Sequence, residues 1–225
     1  MASTLALIHT SPTLTPLFTS LCHRHLPETQ IFHMVDESLI KQTIAADKLQ
    51  KVTVRRLISM VESAAETGVD GVLVTCSSIG PAVSFAARLF SIPVIRVDEA
   101  MAEKAVSQGG RIGVLATLRT TLEPTTALLR EKSAAAGVAN QIEESLCEGA
   151  FHAVLAGDTE THDRIVSKAL AELAGKVDLV VLAQASMARV LQQMPAMTVP
   201  VLSSPELAVL RTRELLSASA RKLEF

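Results

Sequence analysis

The chain has 225 residues, a formal charge of −2, 48% hydrophobic residues, six Phe and no Trp or Tyr. That length fits one large domain or two small ones, and the near-neutral, aromatic-poor composition excludes a phosphate-backbone reader, which needs a basic surface. No apolar run approaches the roughly 20 residues of a membrane helix, and Met1-Ala2-Ser3-Thr4 lacks the basic region of a signal peptide, so a cytoplasmic protein is expected.

Strands are predicted, in chain order, at Leu5 to His9, Ile31 to Val35, Gly71 to Thr75, Pro93 to Val97, Ile112 to Ala116, Leu179 to Ala183 and Val199 to Ser203, with a weaker one near Ala139 to Glu143. Helical periodicity lies between them, as at Val52 to Thr67 and Thr159 to Ala174. Strands alternating with helices of this length predict βαβ units and parallel sheets, and Ala, Val, Leu and Ile are the residues that fill such helix-covered sheets.

The second half echoes the first. Val69-Asp70-Gly71-Val72-Leu73-Val74-Thr75-Cys76-Ser77-Ser78 resembles Val177-Asp178-Leu179-Val180-Val181-Leu182-Ala183-Gln184-Ala185-Ser186, at an offset of 108 residues. Ile92-Pro93-Val94-Ile95 matches Val199-Pro200-Val201-Leu202, Thr13-Leu14-Thr15-Pro16 matches Thr121-Leu122-Glu123-Pro124, and Asp36-Glu37-Ser38-Leu39 loosely matches Glu143-Glu144-Ser145-Leu146, all at nearly that offset. Four stretches in one order predict two similar α/β lobes: residues 1–100, with 205–225 returning to them, and residues 101–204. Open parallel sheets bind ligands beyond the carboxyl ends of their strands, so a site is expected in a cleft between the lobes.

Four predicted strand-end loops are polar where a core would be apolar. They supply His9 and Thr10, then Cys76, Ser77 and Ser78, then Thr117 and Thr120, then Gln184 and Ser186. Small hydroxyl side chains beside the free N–H groups of a helix start make an anion cradle, so a small carboxylate ligand is expected. The three cysteines, Cys22, Cys76 and Cys147, are too widely spaced for a zinc site or a disulfide framework. Cys76 ends an apolar strand and opens a helix, where N–H groups lower a thiol pKa; Cys22 and Cys147 read as buried and inert. The remaining histidines show no metal-ligand spacing, Arg55, Arg56, Glu62 and Glu66 read as a solvated helix face, and no nucleotide-binding glycine pattern is present.

At these residues the chain resembles the aspartate/glutamate/hydantoin racemase superfamily over nearly its whole length. The resemblance rests on His9-Thr10, Asp36-Glu37-Ser38-Leu39, Val74-Thr75-Cys76-Ser77-Ser78, Gly113-Val114-Leu115-Ala116-Thr117 and Leu182-Ala183-Gln184-Ala185-Ser186-Met187-Ala188. It implies two pseudo-symmetric lobes, a homo-oligomer, no cofactor and no metal. It also implies one cysteine per lobe, one removing and one returning a proton beside a substrate carboxylate. The chain departs from that pattern where the second cysteine is expected: Gln184 stands there, with Ala185 and Ser186 after it. An amide has no useful acid–base pKa, but it can donate a hydrogen bond to a carboxylate or to a developing enolate oxygen. Two function classes follow: an isomerase or lyase acting beside a carboxylate with Cys76 as its single acid/base or nucleophile, or a carboxylate-binding protein that has lost racemase activity.

Overall fold

A computed structural model describes residues 3–191 and 193–222. The chain divides into two compact units, Met1–Glu99 with Pro205–Phe225, and Ala100–Ser204. The first unit runs β1 (Thr4–His9), α1 (Thr15–His25), β2 (Gln30–Val35), α2 (Glu37–Ala45), α3 (Lys51–Glu66), β3 (Gly71–Val74), α4 (Gly80–Ala86) and β4 (Val94–Arg96). In the second come α5 (Glu99–Gln108), β5 (Arg111–Ala116), α6 (Arg119–Ala136), β6 (Gln141–Leu146), α7 (Ala150–Leu155), α8 (Thr159–Ala174), β7 (Leu179–Leu182), α9 (Ala188–Leu191) and β8 (Val201–Ser203); α10 (Ser204–Lys222) follows.

The sheet orders are β2-β1-β3-β4 and β6-β5-β7-β8, and every pairing is parallel. The same topology in both units accords with the sequence repeat, and so do details at equivalent positions. Asp70 accepts the N–H of Thr4 at 2.7 Å, and Asp178 accepts the N–H of Arg111 at 2.7 Å. Each carboxylate satisfies the first donor of the central strand beside it. Gly110 must be small there, because a Cβ would stand 2.6 Å from Asp178 Oδ2.

Both faces of the first sheet are covered. On one, Ala6, Ile8, Val72 and Val74 pack with Leu57, Val61 and Ala64 of α3 and with Ala82, Val83 and Ala86 of α4. The α3 residues recur at helical spacing, giving one apolar stripe. On the other, Leu5, Leu7 and Leu73 pack with Phe18 of α1 and Ala208, Val209 and Leu216 of α10. Val180, Leu182 and Leu115 meet Val166, Leu170 and Leu173 of α8 in the second unit.

The weakly patterned strand starts two residues later than the sequence predicts and ends three later, at Gln141–Leu146, paired over its full length with β5 from Arg111↔Gln141 to Ala116↔Leu146. It is an edge strand with several exposed positions, so burial did not write an alternating signal into it. Cys147, read from the sequence as lying away from a strand end, directly follows this strand, and its N–H donates to Ala116 O at 2.7 Å.

A polar chain ties three strands of the first unit to α1. Thr19 Oγ1 donates to Thr15 O at 2.8 Å, so it accepts from Nε2–H of His33 at 3.0 Å. His33 Nδ1 lies 2.8 Å from His9 Nε2, and His9 Nδ1 lies 2.8 Å from the Thr75 hydroxyl, which also donates to Ile8 O at 3.2 Å. Burial, followed by the neighbouring His33, pulls His9 down to about 4, and burial lowers His33 as well.

A buried ion pair lies at the end of β4. Arg96 donates to Asp98 through Nε at 2.6 Å and through Nη2 at 3.0 Å, and both side chains are almost wholly enclosed. Gly80, the first residue of α4, rests on this guanidinium, and a Cβ there would overlap it.

Two outcomes follow. The unfolded chain binds a proton at His9 near the ordinary 6.5, the folded one only near 4. Between those values the unfolded state holds more protons, so stability falls as the pH falls. Thermal denaturation across this window should show a loss of up to about 3 kcal/mol assignable to His9, and His9→Gln should flatten the slope; an unchanged slope refutes the assignment. Gly80→Ala should cost about 1–3 kcal/mol in chemical denaturation, because the guanidinium cannot yield without breaking its pairing; a neutral variant would show that Arg96 moves freely.

Candidate active site

Parallel strands end with unpaired backbone groups and turn into helices, so the carboxyl edge of each sheet gathers polar side chains. In the first unit β1 and β3 pair as far as Ile8↔Val74, which sets His9-Thr10 beside Thr75-Cys76. His9 and Thr75 meet on the α1 face through their side-chain bond. Thr10 and Cys76 meet through a second one, between the Thr10 hydroxyl and the thiol.

A single 3-10 turn, Ser77–Ile79, separates Cys76 from α4, with Cys76 extended at φ −125° and ψ 115°. The turn brings the N–H groups of Ser78 and Ile79 and the Ser78 hydroxyl onto the sulfur, beside the hydroxyl of Thr10. Ser77, Ser78 and Thr10 are themselves buried. Cys76 is the one cysteine that is not fully buried, for Cys22 and Cys147 lie inside the cores.

The thiol does not follow the sequence expectation of a lowered pKa. Burial pushes Cys76 above the ordinary cysteine value, and the hydrogen bonds from Thr10, Ile79 and Ser78 offset this only in part. Charging a sulfur enclosed by protein forfeits its hydration, and one short 3-10 turn does not replace a full helix terminus. Burial alone carries Cys22 up to about 11 and Cys147 up to about 12.

His9, expected to face substrate, is wholly enclosed, with both ring nitrogens engaged by Thr75 and His33. It supports the strand end that carries the thiol. Asp36 caps α2 by accepting from Ser38 N at 2.9 Å and pairs with Arg56 at 2.5 Å. Those hydrogen bonds outweigh partial burial and hold its carboxyl below the usual range. Arg56, read as solvated, therefore anchors the α2 start. The Arg96–Asp98 pair was missed from sequence, although a charged residue in the apolar run Val94-Ile95-Arg96-Val97, with an opposite charge two positions on, is a legible sign of one.

In the second unit, Gln184 follows β7 and is half-buried. Its Oε1 accepts from Thr117 N at 2.6 Å and from Thr117 Oγ1 at 3.1 Å, and its Nε2 lies 2.8 Å from the same Oγ1. Thr120, in the first turn of α6, is buried and its hydroxyl has no hydrogen-bond partner. Ser186 is exposed. The nine predicted site residues thus form two groups: Thr10, Cys76, Ser77 and Ser78 with His9 behind them, and Thr117, Thr120 and Gln184 with Ser186 on the following turn. Among the described residues no cluster of three or more His, Cys, Asp or Glu could hold a metal ion, and no helix is long and apolar enough to cross a membrane.

Solved structures of similar fold include several that are distant in sequence. A glutamate racemase from Francisella tularensis, in complex with D-glutamate, superposes with a TM-score of 0.72 at 15% identity, over 97% of this chain and 82% of that one. An aspartate racemase from Picrophilus torridus gives 0.71 at 14% identity, over 97% and 94%. An allantoin racemase from Klebsiella pneumoniae gives 0.66 at 18% identity, over 96% and 88%. Among curated proteins none matches the chain. The sequence model described as Asp/Glu/Hydantoin racemase matches residues 7–212, nearly the whole chain, and the protein belongs to that family.

Proposed function

We propose that this protein is a cofactor-independent isomerase or lyase that acts at a carbon next to the carboxylate of a small acid, with Cys76 as its single acid/base or nucleophile. The observation that carries this reading is the convergence of the Thr10 hydroxyl, two backbone N–H groups and the Ser78 hydroxyl on the sulfur of the one cysteine that is not fully buried. Donors fixed in advance stabilise a thiolate when it forms without reorganising. Burial keeps the thiol protonated at rest, so the charge develops during turnover.

Two-base chemistry has no second base among the candidates. Gln184 carries an amide, Cys147 is buried with its thiol pushed up to about 12, and both nitrogens of His9 are engaged. One positioned acid or base contributes roughly 10²–10⁴-fold, which is enough for one-sided proton removal, addition or elimination. The raised thiol also favours a second reading, a carboxylate binder without turnover, and the two differ in whether solvent protons enter the ligand.

Cys76→Ser and Cys76→Ala should abolish solvent deuterium incorporation into small carboxylic and dicarboxylic acids while leaving the melting temperature nearly unchanged. Retained exchange in the alanine variant excludes a catalytic thiol, and no exchange in the wild type across the panel supports the binder. Iodoacetamide should alkylate Cys76 before Cys22 and Cys147, with a rate that climbs through a midpoint above the ordinary thiol range.

Direct assay with D- and L-aspartate and D- and L-glutamate should show no efficient interconversion of enantiomers. Ordinary turnover there would reveal a second base and overturn the single-thiol mechanism.

A further inference from the structure

The amide of Gln184 is held in one orientation, and that orientation decides what can sit on it. A backbone N–H only donates, so the amide atom 2.6 Å from Thr117 N is the oxygen; the flipped rotamer would set an NH₂ against an N–H. An amide oxygen accepts two hydrogen bonds, and the Thr117 N–H and hydroxyl supply both. Its acceptor capacity is filled. Nε2 carries two hydrogens, of which Thr117 Oγ1 takes at most one. The other has no partner among the described residues.

Three residues beyond Thr117, the Thr120 hydroxyl is also buried without a partner. A buried polar group left unpaired is costly, and Thr120 stands in the first turn of the 18-residue α6, whose opening N–H groups favour a negative ligand. A spare amide N–H and an unpaired hydroxyl therefore lie at the carboxyl ends of β5 and β7.

We infer that Gln184 is a specificity-determining, donor-only contact that selects an oxygen acceptor, the carboxylate or hydroxy-oxygen of a small non-amino acid, and rejects an ammonium group. This rests on the strand ends being the substrate site. An ammonium brings only N–H donors and would meet another N–H here, because the amide oxygen is saturated. The substrate class that follows is a dicarboxylate or 2-hydroxy acid rather than an α-amino acid.

Calorimetric titration of the full chain with malonate, maleate, L-malate and D-malate, against L- and D-aspartate, tests this. Gln184→Glu keeps the oxygen that Thr117 holds and replaces the outward donor with an anion; Gln184→Leu removes the donor without adding charge. The wild type should bind at least one of the four non-amino acids and prefer malate to aspartate of the same handedness. Both variants should weaken acid binding by roughly tenfold or more, the loss of a hydrogen bond to a charged group, and Gln184→Glu should narrow or reverse the malate-over-aspartate preference. A purely structural role would lower the melting temperature without moving that ratio.

Binding of all four acids unchanged by Gln184→Glu and Gln184→Leu, no binding of any of them to the wild type, or a wild-type preference for aspartate overturns the inference. If Cys76→Ser keeps deuterium exchange while the Gln184 variants lose affinity, the thiol assignment fails and the donor-only contact stands.

Discussion

Parallel pairing of β1 with β3 is the constraint on which the candidate site depends. Once Ile8 lies beside Val74, the next two residues of each strand have no freedom to choose neighbours. Side chains alternate across a strand with a period of two, so His9 must meet Thr75 on one side and Thr10 must meet Cys76 on the other. The 2.8 Å bond between His9 and Thr75 therefore backs the contact between the Thr10 hydroxyl and the thiol. Polar groups on the two sides of the sheet act together: one pair holds the strand ends in register, and the other forms the candidate site.

The supports around that register are buried and polar, and burial makes them both strong and costly. The His9–His33 pair stays neutral because its enclosure opposes charge. Two parallel hydrogen bonds satisfy the Arg96–Asp98 pair, and it fills the space against which α4 starts. A buried ion pair of this kind adds little net stability against an apolar replacement, but breaking one partner is severe. It acts here as a spacer of fixed shape, with Gly80 as the residue small enough to rest on it.

The two units share a topology but not their chemistry. Equivalent strand ends carry Cys76 in one and Gln184 in the other, and the local settings differ accordingly. Donors converge on the sulfur of Cys76, whereas Thr117 consumes the acceptor side of Gln184 and leaves a donor free. The repeated framework gives two equivalent positions, one holding a thiol and the other an amide that offers only hydrogen bonds.

Much of this was legible in the sequence because periodicity is a direct record of burial. Seven of the predicted strands lie where apolar runs end in polar loops, and the repeat at an offset of 108 residues announces two copies of one sheet order. The eighth strand drifted by two to three residues because an edge strand with exposed faces leaves no alternating trace. The strand-end residues were identifiable by the same reasoning, Gln184 after β7 among them. Their electrostatics was not. The sequence places Cys76 at a helix start, which lowers a thiol pKa, but only the tertiary structure supplies the enclosure that raises it. The hydrogen bonds of His9 and the orientation of the Gln184 amide likewise depend on His33, Thr75 and Thr117, partners remote in the chain. Local order in a sequence encodes which residues reach a strand end; the charge, tautomer and hydrogen-bond polarity they adopt are set by desolvation and by neighbours that only folding brings within about 3 Å.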